Sequence, residues 1–176
     1  MRRVAVVGCS GSGKTTFALR LAAATGLPVI HLDAHFWRPG WVASTAEEWN
    51  AEHRALLQPE TWIADGNYGS TLEVRFAEAD TIIDLDRSRF TCLRRVISRA
   101  IRYSGRTRPD MNAGCPERLD PGHLLYLWNF PRRHRPRLEA ALARARVDGR
   151  RVVKLRSDAD AERYLAFVSA VRPATR

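Results

Sequence analysis

Five short apolar runs punctuate the chain: residues 4–7, "PVIHLD" at 28–33, "TWIADG" at 61–66, "DTIIDLD" at 80–86 and "RVVKLRS" at 151–157. Each is continuous rather than alternating, so each predicts a strand covered on both faces, the pattern of a parallel sheet. Between them, apolar residues return at intervals of three and four in "KTTFALRLAAATG", "STAEEWNAEHRALLQ", "RFTCLRRVISRAIRYS", "PGHLLYLWNFPRRHRPRLEAALARAR" and "DADAERYLAFVSAV". That is the spacing of helices with one buried stripe. Gly26 stops the first helix, and Ser44 or Thr45 with Glu47 and Glu48 opens the second. Residues 103–122 are rich in Gly and Pro and carry no period, which predicts a loop excursion above the sheet, either a lid or a plain connection. Strands alternating with helices predict an α/β fold.

Length and composition narrow this little. A chain of 176 residues, 45% hydrophobic and 27% charged, fits one soluble domain, and no apolar run approaches a membrane span of roughly 18 residues. The basic tip and short apolar run at the start are like a signal peptide, but that run leads straight into a motif that must be kept. Cys9, Cys92 and Cys115 are odd in number and widely spaced, so free thiols in a cytoplasmic protein are expected. Zinc is not indicated, because only His123 and His134 accompany Cys115.

Charge adds more. The formal net charge is +10, which implies an anionic partner. Lys14 and Lys154 are the only lysines, and 17 of the 27 arginines lie between Arg87 and Arg151. Codon bias accounts for arginine in place of lysine; guanidinium forks also suit phosphate oxygens. The two readings are compatible.

"GCSGSGKT", Gly8 to Thr15, fills every fixed position of the phosphate-loop pattern, between a predicted strand and a predicted helix. Gly8, Gly11 and Gly13 let backbone N–H groups close around phosphate oxygens. Lys14 is expected to bridge the β- and γ-phosphates of ATP, and Thr15 to bind Mg²⁺ through its hydroxyl. Ser10, Ser12 and Thr16 complete the phosphate-lining segment. A carboxylate must join Thr15, and Asp65, Asp84 and Asp86 are the candidates. Asp65 is preferred, since it ends its strand before Gly66 and so lies at the carboxyl edge where ligands bind in open α/β sheets.

The phosphate loop, the strand ending in "DG" and "ADTIIDLDRSRFTCLRRVISR" together resemble the adenylate-kinase-like branch of phosphate-loop kinases. The resemblance implies a three-layer α/β/α P-loop NTPase fold with a five-stranded parallel sheet and small acceptor-binding and lid insertions. The core is expected at 1–33, 60–102 and 137–176, the acceptor insertion at 34–59 and the lid at 103–136. By the same resemblance Asp65 supplies the Mg²⁺-side carboxylate, Arg95 covers the adenine face and reaches phosphate, Arg99 binds phosphates, and Arg156 and Ser157 stand where backbone holds adenine. "GLPVIHLDAHFWRPGW", "DGNY", "TRPDMNAGCPE" and "LLYLWNFPRRHRP" further resemble segments of bacterial DNA topology modulation proteins. Adenylate kinases follow "DG" with Phe-Pro-Arg, whose Arg binds the acceptor nucleotide. Here Asn67 and Tyr68 follow, with Arg75 a replacement charge.

Asp33 ends the second predicted strand at the same edge. Shikimate kinases carry an acidic residue there, which implies a base for the acceptor hydroxyl or a metal partner; the plainer reading makes Asp33 a turn cap and His31 a satisfied strand-end imidazole. His35, Phe36, Trp37, Trp41 and Trp49 fall in the acceptor insertion, where aromatics stack a ring or form the flap's own core. Arg106, Arg108 and Arg118 lie in the lid, and "PRRHRPR" brings Arg132, Arg133, Arg135 and Arg137 on its return. Arginines arriving with lid closure are what phosphoryl transfer requires, and Arg132 and Arg135 are expected among them. The chain thus reads as an ATP- and Mg²⁺-dependent kinase of a nucleotide or small hydroxylated molecule, a monomer or homodimer. A nucleotide-regulated DNA-binding protein is the alternative, and nucleic acid is the less favoured partner.

Overall fold

The computed structural model describes residues 1–171, so the last five residues of the expected core segment 137–176 lie outside it. All five apolar runs form strands of one sheet: β1 (Arg3–Gly8), β2 (Val29–His31), β5 (Trp62–Asp65), β6 (Thr81–Leu85) and β7 (Arg151–Leu155). The order is β2-β5-β1-β6-β7, and every pairing is parallel. A two-stranded hairpin of β3 (Trp37–Arg38) and β4 (Val42–Ala43) stands apart from it.

Period-two geometry divides the central run between two cores. Val4 and Val6 face Phe17, Leu21, Ile63, Ile83 and Leu165, beneath α1 (Lys14–Thr25) and α8 (Asp158–Val171). Ala5 and Val7 face Trp62, Phe76, Cys92, Leu127, Phe130 and Leu142. That second face is covered by α4 (Leu72–Glu78), α5 (Arg89–Arg102), α6 (Pro121–Arg133) and α7 (Arg135–Val147). Each fully buried Leu, Ile or Phe stabilises the three layers by roughly 1.5–3 kcal/mol. With both faces covered, no polar position can be tolerated in the middle of β1, which is why the run is continuous.

The expected helix over 44–58 forms as α3 (Ala46–Leu56), with Thr45 as its cap: the Glu48 N–H donates to Thr45 Oγ1 at 3.2 Å and the Thr45 N–H to Glu48 Oε2 at 2.9 Å. The helical pattern at 121–146 is two helices meeting at His134. Pro136 falls in the first turn of α7, where its missing N–H costs nothing; within an unbroken helix it would cost ~3 kcal/mol. The short α2 (Leu32–Phe36), α4 and the hairpin carry no strong periodic signal in the sequence. Leu32, expected within the sheet, instead opens α2, although it is fully buried.

Residues 103–120 form neither helix nor regular strand, and they are folded down rather than loose, with Arg108, Met111, Cys115 and Glu117 buried. This loop is hydrogen-bonded to the hairpin segment: the Gly40 N–H donates to Gly114 O at 2.8 Å, Trp41 Nε1 to Pro116 O at 2.9 Å and Asn112 Nδ2 to Trp37 O at 3.2 Å. The two expected insertions therefore meet above the carboxyl edge of the sheet. All three cysteines are free thiols. Among the described residues no helix is long and apolar enough to cross a membrane.

Candidate active site

β1 passes directly through the phosphate loop into α1. Gly13 caps α1 at φ 96°, and no side chain caps the helix, which leaves its first-turn N–H groups and positive dipole end to an anion. A Cβ on Gly11, at φ 77°, would lie 2.4 Å from the Cys92 carbonyl oxygen, so only glycine allows the loop to settle onto α5. The Ser12 hydroxyl is buried without a partner, and Lys14 Nζ bends back to Cys9 O at 3.2 Å. A backbone cradle with uncommitted donors and a lysine beside it fits a nucleotide triphosphate.

Thr15 and Asp65 lie on neighbouring elements and meet. Thr15 Oγ1 donates to Asp65 Oδ2 at 2.7 Å. Asp65 is 5% exposed and its Oδ1 has no partner. A buried carboxylate oxygen left over beside a threonine hydroxyl is a hard-oxygen donor set that fits Mg²⁺. His31 Nδ1 stands 3.4 Å from the same Oδ2, and that contact raises the His31 pKa against the opposing effect of burial.

Asp84 and Asp86 are committed elsewhere. Arg135 grips the fully buried Asp84 with Nη1–Oδ1 at 2.9 Å and Nη2–Oδ2 at 2.6 Å, and reaches Asp86 at 3.2 Å and Glu139 at 2.6 Å. Lys154 adds a 2.7 Å contact to Glu139. The trio Asp84, Asp86 and Glu139 comes close enough to ligate an ion, but Arg135 contacts all three carboxylates and Lys154 contacts Glu139, so the group is engaged in an internal ion-pair network.

A cavity of about 670 Å³ opens above the phosphate loop. Ser10 and Lys14 line it on one side and Asp33, Trp37, Trp41 and Tyr68 on another, while Arg99, Arg108, Glu117 and Arg118 come from α5 and the lid loop. Asp33 accepts a 2.6 Å hydrogen bond from the Tyr68 hydroxyl. Burial, and then the Asp33 charge, push the Tyr68 pKa upward, so the phenol stays a donor. Trp49 is 2% exposed and packs on Phe36 and Tyr68 with ring centroids 5.2 and 4.7 Å away, as core of the flap, whereas Trp37 and Trp41 face the cavity. His35 pairs with Glu52 at 2.9 Å.

The expected arginines separate. Arg99 reaches the cavity. Arg95 lies across the phosphate loop, with Nη1 on Ser12 O at 3.2 Å and Nη2 on Asp158 Oδ2 at 2.6 Å. Arg156 is exposed beside a second cavity of about 290 Å³, and its backbone N–H, like that of Ser157, is taken by Asp160 Oδ2. Thr16 is exposed on α1. Arg132 and Arg135, expected around the transferred group, are not in the large cavity: Arg135 is spent on Asp84, and Arg132 is exposed on the last turn of α6 with no ion pair among the described residues. Arg137 lines the cavity instead.

Several residues of the site escape a reading by motif. His123, in the first turn of α6, sets Nε2 3.1 Å from the Ser10 hydroxyl, its pKa lowered by burial and then by Arg99. Arg75 is fully buried, with Nη2 on Gly66 O at 3.1 Å and Nη1 3.2 Å from His53 Nε2; burial lowers its pKa to about 10. It props the loop after β5 rather than replacing an acceptor-binding arginine. Tyr68 was visible only as the residue breaking the adenylate kinase pattern.

No protein-family model matches the chain, and no curated protein matches it, so the likeness to DNA topology modulation proteins rests on the quoted segments alone. Solved structures do match. Shikimate kinase from Acinetobacter baumannii in complex with shikimate is 12% identical with a TM-score of 0.60, covering 98% of this chain and 96% of that one. A gluconokinase from Sinorhizobium meliloti 1021 is 17% identical with a TM-score of 0.53, covering 96% and 94%. Deoxyadenosine kinase from M. mycoides, with dCMP and dCDP bound, is 12% identical with a TM-score of 0.51, covering 96% and 99%. At these identities the likeness shows the fold, which is that of P-loop kinases along nearly the whole chain.

Proposed function

We propose that the protein transfers the γ-phosphoryl group of ATP, with Mg²⁺, to a hydroxyl group of a small acceptor. The carrying observation is the single cavity in which the phosphate-loop lysine Lys14, the carboxylate of Asp33 and the arginines of α5 and the lid face one another. ATP binds along the loop, with Arg95 at the adenine end. Thr15 and Asp65 hold Mg²⁺, which offsets the charge of the phosphates. The acceptor sits between Asp33 and the Trp37–Trp41 wall. Asp33, oriented by Tyr68, takes the acceptor's hydroxyl proton as the P–O bond to the β-phosphate breaks and that to the acceptor oxygen forms. Lys14 and the guanidinium groups stabilise the charge that spreads over the phosphoryl oxygens. The folds of kinases for shikimate, gluconate and deoxyadenosine support a small hydroxylated acceptor. Dependence on ATP and free buried thiols fit a cytoplasmic location.

The test is γ-labelled ATP with a panel of nucleosides, nucleotides, sugar acids and other small alcohols. Label transferred to one acceptor well above the hydrolysis background supports the proposal; no acceptor exceeding water sinks it. The surplus of cationic surface, with Arg94, Arg102, Arg132 and Arg133 exposed and unpaired among the described residues of α5 and α6, favours nucleic acid as a second reading. A steep salt dependence of DNA binding, without phosphoryl transfer, would establish that one.

A further inference from the structure

Glu117 is a buried carboxylate set between two arginines. Its side chain is 4% exposed, and it belongs to the lid loop. Oε1 accepts from Arg99 Nε at 3.1 Å, and Oε2 lies 2.6 Å from Arg108 Nε. Asp110 takes Arg108 Nη1 at 2.6 Å. Arg99 stands on α5, in the core, and Arg108 in the lid loop, and with that loop folded down Glu117 ties the two together. All three side chains line the cavity that holds Lys14 and Ser10.

The edge used decides what the contact does. Elsewhere in the molecule Arg135 gives Asp84 its whole Nη1–Nη2 end, 2.9 and 2.6 Å from the two oxygens, and has no fork left for a ligand. Glu117 instead touches both guanidinium groups at Nε. Both terminal nitrogens of Arg99, and Nη2 of Arg108, remain without partners among the described residues. Two carboxylates, Glu117 and Asp110, balance the buried Arg108 and the partly buried Arg99, which makes their burial tolerable, while the free N–H groups keep the geometry that phosphate oxygens take.

We propose that Glu117 is a positioning residue which, as the lid closes, presents Arg99 and Arg108 as a clamp on the phosphoryl group being transferred. The inference rests on the kinase reading. The clamp donates hydrogen bonds to the phosphoryl oxygens and exchanges no proton. It also identifies Arg108 as the lid arginine that reaches the moving group.

Calorimetric titration with Mg·ADP and with the non-hydrolysable analogue Mg·AMP-PNP separates the possibilities, because the clamp meets only the γ-phosphate. The wild-type protein should bind AMP-PNP more tightly than ADP. Glu117→Gln should weaken AMP-PNP about tenfold, the effect of one charge-assisted hydrogen bond, and leave ADP within about twofold. Arg108→Ala should do the same, and the double variant should lose less than the two single losses combined, because Glu117 acts partly through Arg108 and partly through Arg99. If Glu117→Gln does not fold, Arg108→Lys, which keeps the charge and loses the fork, should show the same selective loss. Unchanged discrimination in whichever of these variants folds overturns the inference. Tighter AMP-PNP binding by Glu117→Gln also overturns it, since Glu117 would then be a competitor for the phosphate. A wild-type protein that binds neither nucleotide overturns the kinase reading itself, a result distinct from binding without discrimination.

Discussion

The Thr15 hydroxyl and the Asp65 carboxylate, 50 positions apart in the sequence, meet at 2.7 Å across the carboxyl edge of β1 and β5. The hydroxyl occupies one carboxylate oxygen and leaves Oδ1 buried and unpartnered. An unpaired carboxylate oxygen in a closed site is costly unless a cation completes it.

Loss of that oxygen should show in the metal dependence. Asp65→Asn is expected to raise the Mg²⁺ concentration needed for half-maximal phosphoryl transfer on the order of a hundredfold. Titration of activity with Mg²⁺ checks this, and an unchanged midpoint would remove Asp65 from the metal site.

Asp33 should affect chemistry rather than nucleotide binding. Asp33→Asn is expected to lower turnover by about 10²–10⁴ while ATP affinity stays within about twofold. Tyr68→Phe, which frees Asp33 from its 2.6 Å hydrogen bond, should cost about tenfold, the worth of one hydrogen bond to a charged group. Equal loss of ATP binding in Asp33→Asn would move Asp33 from the acceptor to the donor site or the fold.

The two arginines of "PRRHRPR" expected at the phosphoryl group should differ sharply from each other. Arg135→Ala strands the fully buried Asp84, whose pKa burial already raises against the counteracting arginine, and is expected to cost about 3–5 kcal/mol of stability. Arg132→Ala should leave stability within about 0.5 kcal/mol and turnover unchanged. Denaturant unfolding and a turnover assay check both; a slow but stable Arg132→Ala would return that residue to catalysis.

Stability should fall with acid in a window set by His53. Burial, and then Arg75, lower its pKa from 6.5 to about 4 in the fold. The unfolded chain therefore binds a proton that the folded one refuses, and stability is full above about 6.5 and declines as pH falls toward about 4, by about 3 kcal/mol at most. His53→Gln, which still offers Arg75 an acceptor, should flatten this part of the profile in urea unfolding between pH 4 and 7.

The five strands of the sheet, the phosphate loop and the strand-end position of Asp65 were legible in the sequence, because each depends on local requirements, whereas Asp33, expected to end the second strand, stands within α2. A strand covered on both faces must be apolar throughout, and a loop that cradles phosphate needs glycine at fixed positions next to Lys14. The break at His134 was not legible: Pro131 lies inside α6 and Pro136 in the first turn of α7, so neither proline marks the boundary and only packing decided where one helix stopped. The short α2 and α4 were likewise too brief to show a period.

The assignment of charges belonged to the tertiary structure alone. In sequence Arg132, Arg135 and Arg137 are equivalent members of one basic cluster, yet α6 and α7 meet so that the first faces solvent, the second pairs with Asp84 and the third lines the cavity. Glu117 could not be told from any other lid carboxylate until the folded loop set it between Arg99 and Arg108. Periodicity reports which face of an element is buried; a guanidinium's partner is a long-range contact, and its choice between carboxylate and substrate is made only when distant segments come within about 3 Å of each other.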